Sequence, residues 1–217
     1  MASPMRVLLL SNLFPPDYEG GQEVNAFKAA NGLRARGHDV QVVTSVFRDE
    51  FGGVREDPDW VHRLATLRWP TLQIQTNRIL NKAESLVLHA KDEALFYRNY
   101  VATRNWLATR PPFDVAYVFG LAGVGAAMMA APTEKGVPVL THCGDDYLGT
   151  SWDYAERSAL LRLANGTVLA RFRRPTVTAD RRNIGVVSRF LADEIAKPKL
   201  PVGRFHVIPR GVAFPLG

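Results

Sequence analysis

Several features that would restrict the class of this protein are scarce or missing from its sequence. Cys143 is the single cysteine among 217 residues, so no disulfide can form within the chain. No stretch reaches the roughly 20 apolar residues that a membrane-spanning helix needs. The first apolar run, residues 7–10, is too short for the core of a secretory signal. The sequence therefore predicts a cytoplasmic globular protein.

Two phosphate-binding motifs are also missing. The chain contains no G-x-G-x-x-G and no G-x-x-x-x-G-K-[ST]. These glycine-rich patterns let the main chain approach a pyrophosphate or cradle phosphates. Their absence argues against a dinucleotide-dependent oxidoreductase and against a P-loop nucleotide hydrolase.

The composition is that of a globular protein with an excess of positive charge. Hydrophobic residues make up 47% and charged residues 22%, and the length suits one large α/β domain over residues 1–217. The net charge of +6 favours anionic partners such as nucleotides, phosphates or acidic lipid headgroups. Nucleic acid is not predicted as a partner, because the chain lacks the interleaved aromatic and basic residues of a known nucleic-acid module.

Short β-branched runs alternate with helical stretches along the chain. This alternation predicts right-handed crossovers and a doubly wound α/β fold with a mostly parallel sheet. The expected strands are residues 7–10, 40–43, 61–67, 115–119, 137–141, 177–178, 184–187 and 205–208. The expected helices are 22–36, 74–110 with one break, 121–135, 154–174 and 188–196.

The loop after the first strand holds a glycine pair, Gly20 and Gly21, directly before a helix. Ligands of open α/β sheets collect at the carboxyl ends of strands. Glycine allows close approach to the main chain, and the N–H groups of a helix start favour anions. Glu23 favours the helix start but would repel a phosphate there. A plain turn between strand and helix remains the alternative.

A set of ordered motifs carries a family resemblance. The opening "MRVLLLSNLFPPDYEGGQEVNAFKAANGLRARGHDVQVVTS" is followed by "FDVAYVFG", "GVPVLTHCGDDY", "NIGVVSRFLADEI" and "FHVIPRGV". Together these stretches resemble the N-terminal half of the family-four retaining glycosyltransferases of GT-B fold. The sequence departs from that pattern at Arg210, where the family usually has asparagine, and at Ala213, where it often has aspartate.

The resemblance implies a function for the chain. It would be the acceptor-binding half of an enzyme that moves a sugar from a nucleotide-sugar to a sugar, lipid-linked or small-molecule acceptor. The family's second domain, which carries the main donor contacts, is not in this sequence, so the isolated chain is expected to be inactive. The nucleotide-sugar is a substrate, and the resemblance implies no cofactor, no essential metal and no protein nucleophile from this half.

The resemblance also implies roles for individual residues. His142 would hydrogen-bond the transferred sugar near the reaction centre, although a half-buried structural histidine is the alternative. The predicted substrate-binding residues are Gly20, Gly21, Glu23, Asp145, Asp146 and Arg210. Asp145 and Asp146 could contact acceptor hydroxyls or cap a helix. His38, at the amino-terminal end of a strand, is interpreted as structural, and Cys143 as a small buried filler.

The helical stretch 154–174 carries five arginines opposite an apolar side: Arg157, Arg162, Arg171, Arg173 and Arg174. A basic amphipathic helix can lie on an anionic membrane, here its inner face, or can pack on the sheet with a solvated basic face. The alternative function is therefore a non-catalytic module that binds a nucleotide or an anionic membrane.

Overall fold

A computed structural model describes residues 3–18, 20–46, 57–68, 82–145, 147–148, 159–197 and 202–208. Strands and helices alternate along these residues, as the sequence predicts. The strands are β1 (Arg6–Ser11), β2 (Asp39–Val46), β3 (Val61–Thr66), β4 (Val115–Phe119), β5 (Val139–Cys143), β6 (Asn183–Val186) and β7 (Arg204–Val207). The helices are α1 (Gly21–Ala35), α2 (Lys82–Ala108), α3 (Ala130–Glu134), α4 (Ala159–Gly166), α5 (Ala170–Thr178) and α6 (Arg189–Ala196), with a 3-10 turn at Ala126–Met129.

The seven strands form one sheet in the order β3-β2-β1-β4-β5-β6-β7. All six strand pairings are parallel, which confirms the predicted doubly wound α/β class. The strand order reverses between β1 and β4, and in such sheets ligands bind beside the carboxyl ends of the strands at this point. The fold therefore directs attention to the loops that follow β1, β4 and β5.

The core lies on both faces of the sheet. Leu8 and Leu10 of β1 belong to the larger apolar cluster, which includes Tyr100 of α2. Val7 and Leu9 point the other way, into a second cluster with Ala26 and Ala30 of α1. The continuous apolar run of β1 is explained by this double covering, because successive side chains of a strand point to opposite faces.

Helix α1 lies where the sequence predicts it, and its buried side is formed by small residues. Ala26 and Ala30 are fully buried, whereas Phe27 is 39% exposed. The small alanines let the helix approach the sheet closely, and Phe27 instead packs edge-on against Phe14. Gly37 ends this region with a φ of 88°, the left-handed conformation that is typical of glycine after a helix.

The predicted helix over 121–135 is wrong in its first half. The chain turns after Leu121, and the helical part comprises only the 3-10 turn and α3. Gly125 has a φ of 91°, and a Cβ on it would lie 2.3 Å from the Phe96 ring. This close packing of α2 against the turn requires glycine and keeps the helix from starting earlier.

The predicted helix over 154–174 and the predicted strand at 177–178 are also corrected. Two helices, α4 and α5, occupy the described part, and residues 154–158 lie outside it. Helix α4 ends at Gly166, where the Leu169 N–H donates to the Ala164 carbonyl. Helix α5 continues through Thr178, whose hydroxyl donates to the Arg174 carbonyl 3.1 Å away. This local hydrogen bond overrides the strand propensity of the two β-branched residues.

Two further boundaries differ from the prediction. Helix α2 is continuous from Lys82 to Ala108, and the rest of the predicted 74–110 stretch lies largely outside the described residues. Strand β5 runs two residues further than expected, so His142 lies within the strand and not after it. None of the helices in the described part of the chain has the length and apolar content to cross a bilayer.

Candidate functional site

The carboxyl ends of β1, β4 and β5, the three central strands, lie side by side at the carboxyl edge of the sheet and form the region that we call the corner. The strand register aligns Ser11 with Phe119, and Phe119 in turn with His142. Phe119 belongs to the apolar cluster on the α1 side. The predicted catalytic histidine therefore lies at the strand-order reversal and on the face that α1 covers.

His142 is buried, with 5% of its surface exposed. Its ring stacks on Phe119 at 5.2 Å between centroids, and its Nδ1 lies 3.3 Å from the Tyr117 hydroxyl. Burial raises the pKa of Tyr117, so this hydroxyl keeps its proton and can donate to Nδ1. That donation would fix the tautomer with the proton on Nε2. The aromatic neighbours thus orient an imidazole N–H.

The glycine pair lies at the start of α1, where the sequence predicts it. The Gly20 N–H donates to Oε2 of Glu23 at 3.1 Å, and Glu23 is buried. Gly20 is extended, and a Cβ added to it would meet only the Glu23 carboxylate at 3.6 Å. The protein itself therefore does not require glycine here. A carboxylate at this helix start also makes it a poor place for a phosphate.

Gly120 connects the helix start to the histidine strand. It follows Phe119 at the end of β4 and has a φ of 29°. A Cβ on Gly120 would lie 3.5 Å from the Cβ of Gln22, so the first turn of α1 contacts the end of β4 directly. The structure thus brings the glycine pair and His142 to the same corner, joined through Gln22, Gly120 and Phe119.

Asn12 organises this corner, and the sequence analysis missed it. Its Oδ1 accepts the N–H groups of Gly123 and Val124 at 2.9 and 3.1 Å. Its main-chain N–H donates to the Gly120 carbonyl, and its own carbonyl accepts from the Ser45 N–H. One residue thus ties together the loop after β1, the end of β2 and the loop after β4. Its position directly after the first apolar run, at the carboxyl end of a predicted strand, is the sequence signal that could have identified it.

Arg63 of β3 holds the loop after β1. Its guanidinium contacts Asp17 at 3.1 Å and Asp57 at 2.7 Å. It also donates to the Phe14 carbonyl at 3.1 Å. Arg63 and Phe14 are 49 positions apart. No local sequence signal marks such a pair as partners.

The remaining predicted residues fall into three groups. Asp145 is exposed and accepts a hydrogen bond from the Tyr147 N–H at 3.2 Å, which favours its capping role. Asp146 and Arg210 lie outside the described residues. Cys143 is buried, and His38 accepts the Met5 N–H at 3.1 Å beside the start of β1, as their structural interpretations expect.

The chemistry that the described residues offer at this corner is hydrogen bonding. Across the described ranges, no three His, Cys, Asp or Glu side chains are grouped closely enough to hold a metal ion. The corner offers an oriented imidazole, a tyrosine hydroxyl and glycine main chain. Such groups can bind and orient a polyhydroxylated ligand.

Comparisons with known proteins agree with the family resemblance. The family model described as Glycosyltransferase Family 4 matches residues 19–214. The sequence matches none of the curated proteins.

Among solved structures, Arabidopsis thaliana UGT89C1 complexed with UDP-L-rhamnose is similar over 99% of this chain, with a TM-score of 0.51 and 10% identity. The same protein complexed with quercetin aligns over 98% of this chain, with a TM-score of 0.49 and 11% identity. The chain spans about half the length of these structures, 51% and 53% respectively. At this identity, the first likeness is evidence for the fold alone.

Proposed function

Because the chain belongs to Glycosyltransferase Family 4, we propose that it is the acceptor-binding half of a retaining glycosyltransferase. The enzyme transfers a sugar from a nucleotide-sugar to an acceptor hydroxyl. The chain spans about half of the solved glycosyltransferase structure that contains UDP-L-rhamnose, so in this proposal a second domain supplies most donor contacts. The isolated chain then binds the acceptor but does not catalyse sugar transfer.

The observation that carries the proposal is the shared corner at the strand-order reversal. His142 pairs in register with Phe119, which precedes Gly120, and Gly120 contacts the first turn of α1. A ligand lying across this corner meets an imidazole on one side and side-chain-free main chain on the other. Sugar transfer needs donor and acceptor held in one orientation, which such an arrangement can provide.

The charge at the helix start decides which substrate lies there. The buried Glu23 carboxylate accepts the hydrogen bond of the Gly20 N–H, so a diphosphate at this point would face a negative charge. A neutral acceptor hydroxyl meets no such repulsion. We therefore place the acceptor against Gly20 and Gly21, with Asp145 on the exposed loop after β5, and the transferred sugar towards His142.

The mechanism assigned to this half is positioning. His142 donates an imidazole N–H to a hydroxyl of the transferred sugar, and Tyr117 keeps the ring in the required tautomer. The leaving phosphate assists the incoming hydroxyl on the same face of the sugar, so no side chain of this half forms a covalent bond.

The test is a calorimetric titration of the chain with nucleotide-sugars and with monosaccharide, phenolic and polyprenyl-phosphate acceptors. We expect saturable binding of one acceptor class and weak binding of nucleotide-sugars. Gly20→Val places a branched side chain where the acceptor lies and should weaken acceptor binding at least about tenfold. Gly32→Ala, in the middle of α1, is the matched control.

Transfer by the enzyme that includes the donor domain gives the second readout. His142→Gln is expected to lower kcat by roughly 100-fold, on the scale of a lost oriented donor. Retention of the wild-type kcat would remove His142 from the site. Tight nucleotide binding by the chain, with no acceptor bound, would instead favour the non-catalytic nucleotide-binding module.

A further inference from the structure

The chain that leads from β1 to the glycine pair makes a closed turn. The Asp17 N–H donates to the Phe14 carbonyl at 3.2 Å. Both residues are buried, and the Phe14 ring lies 5.7 Å from the rings of Phe27 and Trp60, measured between centroids. Only two residues separate Asp17 from Gly20. The position of the turn therefore limits where the glycine pair can lie.

Arg63 of β3 contacts both ends of this turn. Its Nη2 donates to the Phe14 carbonyl at 3.1 Å, and its Nη1 lies 3.1 Å from the Asp17 carboxylate. Nη1 also donates to the Ser45 carbonyl of β2 at 3.3 Å. Nε and Nη2 donate to the two carboxylate oxygens of Asp57 at 2.7 and 3.0 Å. A planar guanidinium with five N–H groups can make these contacts at once, and we call them the Arg63 clamp.

The Arg63 clamp is largely shielded from water. The exposed fractions of the side chains are 10% for Arg63, 5% for Asp17 and 20% for Asp57. Charge-assisted hydrogen bonds are stronger than neutral ones, and salt screens partly buried charges less than exposed ones. A turn held in this way keeps its position without a ligand, so a ligand does not have to order it on binding.

We propose that Arg63 is a positioning residue for the acceptor. It acts through the loop after β1, which it holds so that Gly20 and Gly21 lie where the acceptor binds. The inference rests on the proposed function, in which the acceptor lies against the glycine pair. Without the Arg63 clamp the loop occupies the binding position for only part of the time, and the apparent affinity falls by that fraction.

The test variant is Arg63→Lys, which keeps the positive charge beside its two carboxylate partners but loses the planar fork. The matched control is Arg6→Lys. Arg6 also joins a carboxylate to a main-chain carbonyl, Asp39 and Pro111, each at 2.7 Å, but it does so at the amino edge of the sheet. Both changes remove the same kind of contact, so a difference between the variants reports the position of the loop.

Binding is measured by calorimetric titration of the 217-residue chain with monosaccharide, phenolic and polyprenyl-phosphate acceptors. We expect Arg63→Lys to raise the Kd of the acceptor about tenfold, as for a loop that is in place a tenth of the time. Arg6→Lys should bind as the wild type does. Amide hydrogen exchange of residues 13, 14, 17 and 18 should become faster in Arg63→Lys and not in Arg6→Lys.

Transfer by the enzyme that includes the donor domain separates positioning from a loss of stability. Arg63→Lys should raise the KM for the acceptor and leave the KM for the nucleotide-sugar unchanged, which general destabilisation would not do. Thermal unfolding followed by circular dichroism checks that each variant folds. If Arg63→Lys does not fold, Asp57→Asn removes the charge of one partner alone and should raise the acceptor KM by a smaller factor.

The outcomes distinguish this inference from the proposed function. If the wild type binds none of the three acceptor classes, the proposed function fails and the positioning role fails with it. If the wild type binds an acceptor and Arg63→Lys binds it equally well, only the positioning role is overturned. An equal loss of affinity in Arg6→Lys would also overturn it, because the effect would then not depend on the loop.

Discussion

The two faces of the sheet bury polar groups that have different kinds of partner. On the α1 face, the Tyr117 hydroxyl and His142 ring contact each other beside the carboxyl ends of the strands. On the α2 face, Asn99 is 1% exposed and is bonded to the main chain of two other elements. Nearby on that face, His89 lies 2.7 Å from Asn165 of α4.

The comparison separates buried side chains that satisfy main-chain groups from buried side chains that contact another side chain. A buried side chain that satisfies main-chain N–H and carbonyl groups is needed wherever the fold is needed. A side chain that pairs with another side chain can be changed without orphaning the main chain. We therefore expect large stability effects on the α2 face and small ones, with altered ligand binding, at Tyr117.

The largest expected effect is that of Asn99→Ala. Asn99 accepts the Thr66 N–H and donates to the carbonyls of Thr66 and Val124, each at 2.9 Å. Its loss would leave these groups buried without a partner, so the free energy of unfolding should fall by about 3 kcal/mol or more. Urea denaturation measures this. Asn31→Ala, exposed on α1, should change it by less than about 0.5 kcal/mol.

The next effect is a pH dependence on the same face. Burial raises the pKa of Glu93 from 4.5 to about 7, partly offset by Arg173. Between these values the folded chain holds a proton that the unfolded chain has released. Stability therefore falls as the pH rises through this window, by roughly 3 kcal/mol at most, and is level above it. Denaturant titrations at several pH values measure the fall.

The variant that isolates this group is Glu93→Gln, which keeps a neutral side chain at every pH. It should make the pH profile shallower, because Asp92, whose pKa burial raises to about 6, still contributes a fall. It should gain only about 1 kcal/mol at pH 8, because removing the buried charge also removes a negative partner from Arg173. Asp193→Asn, an exposed carboxylate on α6, is the control and should leave the profile unchanged. A Glu93→Gln chain that keeps the wild-type profile would contradict the assignment.

The smallest expected effect on stability is that of Tyr117→Phe. The ring and its packing on Phe119 are kept, and only the 3.3 Å contact with His142 is lost. The free energy of unfolding should fall by about 1 kcal/mol or less. If His142 must carry its proton on a fixed nitrogen, transfer should also show an altered pH dependence of kcat, with KM nearly unchanged. If Tyr117→Phe lowered the free energy of unfolding as much as Asn99→Ala does, the proposed difference between the two faces would be wrong.

The sequence predicts the sheet well because its strands are marked locally. Continuous apolar runs such as residues 7–10 reveal strands covered on both sides, and Gly37 marks a helix end. The helix boundaries around Gly125 and Gly166 are predicted poorly. The first depends on contact with Phe96, which lies in another helix, and periodicity carries no information about such contacts.

The candidate site likewise has features that the sequence predicts and features that it does not. The positions of His142 and the glycine pair at one corner follow from strand order and family resemblance. The engagement of Gly20 by Glu23 and the tethering by Asn12 and Arg63 do not, because they depend on the exact orientation of each side chain. The assignment of individual roles to His142 and the glycine pair stays a prediction.

The clamp made by Arg63 sets a rule for building chimaeras from this chain. Arg63 lies on the edge strand β3, yet it fixes the Phe14 carbonyl and Asp17 in the loop after β1. If a chimaera takes its sequence from another protein only up to the end of β2, the loop after β1 comes from that protein while Arg63 comes from this chain. Crossovers placed after Thr66 transfer the loop together with its anchor, so the smallest exchangeable block is the first three strands and not the first two.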